Sequence, residues 1–135
     1  MHFGPLAACL AVLTLSLQAS AQCLKYDAPG VKLRGVIHSK EFYGPPGYGE
    51  SPDVDAREKQ AMLVLDQPLC VAASADQDAA LAQHEVTLVP ALGESLTSYA
   101  GAHVLVTGTL FHAHTGHHHT EVLVQLDGLP RRLGQ

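Results

Sequence analysis

The apolar periodicity is mostly two, not 3.6, over five stretches, and a single short helix-forming run falls between the third and the fourth. The first stretch is long and carries a glycine in its middle. Together these predict an all-β fold with one short helix: a small five-stranded OB-like barrel. In such a barrel a long, bent first strand serves both halves. Closure removes sheet edges that so small a chain could not otherwise cover. An open five-stranded sheet with one covering helix is the alternative.

The elements follow in order. Residues 31–42 alternate apolar and polar, and Gly35 inside them marks a bulge or a strong bend. Gly44-Pro45-Pro46-Gly47-Tyr48-Gly49-Glu50-Ser51-Pro52 fits neither strand nor helix and reads as a long loop or flap. Residues 61–66 form the second strand, which residues 69–71 continue after Pro68. Residues 79–83 allow a helical turn. Residues 84–89 form the third strand, ended by Pro90. Residues 94–100 are the helix candidate, with Tyr99 facing the core and Gly101 where a C′ glycine belongs. Residues 104–111 and 120–126 are the fourth and fifth strands. The tail from Pro130 is expected to fray.

Of the 135 residues, 47 % are hydrophobic and 16 % charged, which excludes the composition of a disordered chain. The net charge of −5 and the lack of a basic run argue against nucleic acid as a partner. Residues 1–21 contain no Asp, Glu, Lys or Arg. Their apolar run, from Leu6 to Leu17, has the length of a secretory h-region and is too short to span a bilayer. Ala19-Ser20-Ala21 is a small-x-small cleavage site before Gln22. The reading is a signal peptide over 1–21 and one domain over 22–135, located in the periplasm or secreted, with no stable membrane insertion. An uncleaved anchor is the alternative. Leu6-Ala7-Ala8-Cys9 precedes the apolar run and is not taken as a lipoprotein box.

Export leaves Cys23 and Cys70. In an oxidising compartment two thiols read as one disulfide, closing a loop of 48 residues. The chain-entropy treatment assigns such a loop about 4 kcal/mol.

Five of the nine histidines lie in Phe111-His112-Ala113-His114-Thr115-Gly116-His117-His118-His119-Thr120. This segment joins the fourth and fifth strands, so a hairpin tip is expected. A two-residue turn at Thr115-Gly116 would set His114 against His117 and His112 against His119, but it mismatches the apolar faces. A three-residue loop, with Gly116 left-handed, sets His112 against His118, Leu110 against Thr120 and Val106 against Val124. That register aligns the faces. It places His112 and His118 on the barrel side, His117 and His119 outside, and His114 in the turn. Converging imidazoles suit a divalent transition metal, Zn, Cu or Ni. His112, His114, His117 and His118 are the candidate ligands, with Glu121 or water completing the set. The competing reading is a metal-free hairpin stiffened by hydrogen bonds or used for recognition. In an OB-type barrel the loop between strands one and two flanks the same face as the loop between four and five. Tyr43, Pro45, Pro46 and Tyr48 therefore join His112, His114, His117, His118 and His119 as candidate binding residues.

Four blocks carry a resemblance to a known family. They are Cys23-Leu24-x-Tyr26, Phe42-x-Gly44-Pro45-Pro46-Gly47-Tyr48, Leu65-Asp66-x-Pro68-Leu69-Cys70-Val71, and the long block from Val106 to Thr120. The chain resembles the bacterial exported family called domain of unknown function 4431. It departs from that pattern at Gly47, where Asn is usual, and at Glu121, where Pro is usual. The resemblance implies a small exported protein of Gram-negative type and brings no settled activity.

Ser39, Ser51, Ser95 and Ser98 sit in no nucleophile motif, and no His-Glu-x-x-His pattern occurs. The expectation is a non-enzymatic exported binding module that uses the histidine hairpin and the Gly-Pro-Pro loop. Its partner would be another exported protein, which it could inhibit or neutralise, or a cell-wall ligand. A Zn- or Cu-binding protein is the alternative.

Overall fold

Period-two patterning folds here into a closed barrel. The computed structural model describes residues 22–134 together with Met1 and Gly4. Apart from those two residues, the expected signal peptide over 1–21 lies outside the described residues. The strands are β1 (Val31–Tyr43), β2 (Arg57–Val71), β3 (Ala80–Val89), β4 (His103–His112), β5 (Val122–Leu126) and a short β6 (Arg131–Arg132). They run in the order β1-β2-β3-β5-β4, and β1 pairs with β4 to close the barrel. The β3–β5 pairing is parallel and the other pairings are antiparallel. The expected all-β barrel with five closing strands is thus the fold.

β1 serves both halves. It pairs with β4 through Val31–Val36 and with β2 through Gly35–Tyr43. Gly35 and Val36 are shared by both, and a Cβ on Gly35 would come within 2.1 Å of the Val64 carbonyl oxygen. Only glycine lets the two neighbouring strands approach so closely. Inward positions alternate along each strand, and Ile37, Leu63, Val86, Val106, Leu110 and Val124 are among the fully buried core residues. The Cys23–Cys70 disulfide is formed. It ties the start of the domain to β2, where Leu24 bridges to Val71.

Several boundaries differ from expectation. β3 begins at Ala80, so residues 80–83 are strand and not a helical turn. The helix candidate over 94–100 contracts to a 3₁₀ turn, Thr97–Tyr99. The tail does not fray at Pro130, because Arg131 and Arg132 pair with Leu105 and Val104. Arg132 also donates to the Ser98 carbonyl at 2.7 Å and covers the Tyr99 ring.

The largest correction concerns the β4–β5 register. Leu110 pairs with Val124 and His112 with Val122, so Thr120 and His118 are not cross-strand partners. The connection is a nine-residue loop, 113–121, and not a tight turn. The preferred register is four residues out. A shift of four preserves which residues face inward, so matching apolar faces alone could not detect it.

Candidate functional site

The long loop has somewhere to go. On β2 and β3 the outward-facing Met62 and Thr87 are buried, and so is Leu123 on β5. Outward residues should be wet. They are dry because residues 113–121 fold back as a strap across the outer wall of the barrel. Thr120 Oγ1 accepts from the Thr87 N–H at 3.1 Å and shares a hydrogen bond with its hydroxyl at 2.8 Å. The Gln60 side-chain amide donates to the His117 carbonyl at 2.6 Å. The rings of His114 and His118 lie against Phe111 of β4. His119 stacks flat on Phe42 of β1, with ring centroids 4.1 Å apart. The strap therefore touches outward residues from β4 to β1.

Glu58 of β2 is the central anchor. One carboxylate oxygen binds His117 Nδ1 and the other binds His119 Nε2, the latter at 3.1 Å. Burial pushes the Glu58 carboxyl up, but hydrogen bonds from His119 and His117 and their charge outweigh it. The net effect holds it below the ordinary glutamate range.

The flap, residues 44–56, is built on a second carboxylate. Asp55 is buried and accepts from the N–H groups of Gly47, Gly49 and Ser51 at 2.7, 2.7 and 3.1 Å. Burial raises its pKa, the three main-chain donors and Arg57 lower it, and the balance falls below the ordinary aspartate value. Gly44 and Ala56 close the base of the flap at 2.7 Å. Pro45, Pro46 and Tyr48 are exposed. Tyr43 is not presented in this way; its ring lies under the Arg57 guanidinium.

Flap and strap meet. The Tyr48 ring sits over Gly116, where an added Cβ would come within 2.7 Å of its Cζ, and edge-on to His117. The structure thus brings His117 and His119 together on Glu58, with Tyr48 against His117. The other histidines turn elsewhere. His112 faces inward, gives its Nδ1–H to the Ala113 carbonyl and lies edge-on to Tyr26. His114 gives its ring N–H to the His112 carbonyl and its backbone N–H to His118 Nδ1. His118 lies on the outer wall rather than the barrel side expected for it, because the nine-residue loop carries it there.

The four candidate metal ligands therefore point in three directions. Among the described residues, no group of three or more His, Cys, Asp or Glu side chains is arranged to hold a metal ion. Among the same residues, no helix is long and apolar enough to cross a membrane. Sequence reasoning missed Glu58, Gln60, Thr87 and Asp55. Glu58 and Asp55 carried one faint signal, a carboxylate just before the second strand and next to a glycine-rich loop.

Residues 82–129, from β3 through the strap and past β5, match the profile of the family described as Domain of unknown function (DUF4431). Over this stretch the chain is similar to that family. The blocks around Cys23, Pro45 and Cys70 lie outside the match. No curated protein and no solved structure gives a significant match.

Proposed function

We propose that this DUF4431-containing chain is an exported, non-enzymatic binding module that grips another exported protein, as an inhibitor or neutraliser, through the joined surface of flap and strap. The observation that carries this reading is the contact of Tyr48 with Gly116 and His117. It turns two loops into one pre-organised platform, which reduces the ordering cost of association. Pro45, Pro46 and Tyr48 supply exposed, conformationally stiff area, and aromatic anchors of this kind dominate binding energy in protein interfaces. The disulfide supports an oxidising compartment.

The test is capture from periplasmic extract with untagged wild-type protein coupled to resin, beside Tyr48→Ala and Gly116→Val. The expected result is one specific partner retained by wild type and lost or much weakened in both variants, with melting temperatures close to wild type. Equal recovery by all three proteins would remove the platform from recognition.

A further inference from the structure

β2 and β3 part company after the Ala61–Leu88 pair. The ladder stops there for a chemical reason. The next exchange of hydrogen bonds would join Lys59 to Pro90, and proline has no N–H to give. Beyond Leu88, Val89 pairs with Gln125 of β5.

Two contacts fix where the Lys59 backbone points. Ile37 N–H donates to the Ala102 carbonyl, away from β2. Alternate residues of a strand share an edge, so His38, Lys40 and Phe42 bond to Met62, Gln60 and Glu58. The odd residues of β2 must then face β3. On the other side, the Thr87 N–H points to Thr120, which leaves Val86 and Leu88 to bond with Leu63 and Ala61. Both routes aim the Lys59 N–H and C=O into the gap, where they have no main-chain partner among the described residues.

The gap is roomy. A groove of about 640 Å³ is lined in part by Lys59, Gln60, Ala61, Leu88, Pro90 and His118. Gln60 beside it donates its side-chain amide to the His117 carbonyl. His118 Nδ1 accepts from the backbone of His114, so in neutral His118 the ring proton sits on Nε2.

We infer that this groove takes an extended polypeptide segment of the partner, added as a strand beside Lys59. Main-chain amides alternate donor and acceptor along one edge, which matches the unpaired N–H and C=O of Lys59, and the walls at Ala61, Leu88 and Pro90 are apolar. The inference rests on the reading of the chain as a protein-binding module and names what the partner presents.

The probe is a displayed library of random linear peptides selected on the wild-type protein. Lys59→Pro removes the N–H that faces the groove and keeps the carbonyl, a substitution that edge positions tolerate. Lys59→Ala keeps the main chain. Selected peptides are expected to bind Lys59→Pro about tenfold more weakly, the worth of one main-chain hydrogen bond, and Lys59→Ala nearly as well as wild type. Amide exchange in the wild-type protein gives a reading that needs no variant. The Lys59 amide should exchange fast alone and slowly with peptide bound. Equal affinity for Lys59→Pro, an unprotected Lys59 amide in the complex, or no enriched peptide would each overturn the inference. Loss of partner capture on Tyr48→Ala would still stand in any of those cases, so the two readings fail separately.

Discussion

The flap and the strap are both exposed, polar connections, yet they are held by opposite means. The flap satisfies itself. Asp55 takes three N–H groups from residues four to eight positions away, and Tyr48 N–H returns to the Gly44 carbonyl. The strap has a few internal bonds, such as His118 N–H to the Thr115 carbonyl. Its place on the barrel depends on Gln60 and Glu58, which stand 57 to 61 residues away in sequence. A loop tied by its own carboxylate keeps its shape wherever its base is held. A loop tied by distant strands has a shape only once the barrel has closed.

Removing the carboxylate that organises the flap should have the largest local effect. Asp55→Ala leaves the N–H groups of Gly47, Gly49 and Ser51 without their shared acceptor. Amide exchange should show those three losing all protection while Thr87 of the strap contact keeps its own. If the Gly47 amide stays protected in Asp55→Ala, the flap is held by something other than this carboxylate.

Glu58→Ala should act less locally and more weakly. It removes two hydrogen bonds to imidazoles, of which His117 is more than half exposed and therefore well screened. A loss of about 1–2 kcal/mol in urea denaturation is expected. The His119 ring should also leave the face of Phe42, with a shift of its ring protons. An unchanged midpoint together with unchanged His119 resonances would show that Thr120 and Gln60 suffice to seat the strap.

This contrast also explains what could be read in advance. The barrel, the disulfide and the bent first strand are written in local patterns: alternation, two cysteines, and a glycine at residue 35. Pro90 was legible as the end of β3, and the same missing N–H opens the groove beside it. The strap was not legible. Its burial of Met62, Thr87 and Leu123 requires residues that are far apart in sequence and that alternation assigns to the wet face. The register error came from the same source. Assuming a tight hairpin forced the histidines to face one another, whereas the nine-residue loop lets each ring find a different partner. Five clustered histidines suggested convergence, but their spacing says nothing about Glu58, which draws two of them across the wall.

Acid should separate the two loops with the smallest of these effects. Burial holds His118 below its ordinary pKa, and the neighbouring His114, His117 and His119 add to this. Its protonation would also forfeit the Nδ1 acceptor that receives the His114 N–H. A histidine with a depressed folded pKa stabilises the fold fully above its unfolded value of about 6.5. That contribution is lost as the pH falls toward the folded value. Glu58, also depressed, adds stability that is present above about 4.3, its unfolded value. That stability disappears only as the pH drops through its lower folded pKa. The strap should therefore loosen in two steps and the flap in one, since Asp55 has no histidine partner. The Thr87 amide, which donates to Thr120, reports the strap, and the Gly47 amide reports the flap. Between about pH 7 and 5, exchange at Thr87 should rise above its intrinsic rate dependence while Gly47 keeps a constant protection factor, and His118→Phe should abolish that first step. Parallel behaviour of the two amides across this range would mean that strap and flap respond as one unit, and that His118 is not what holds the strap down.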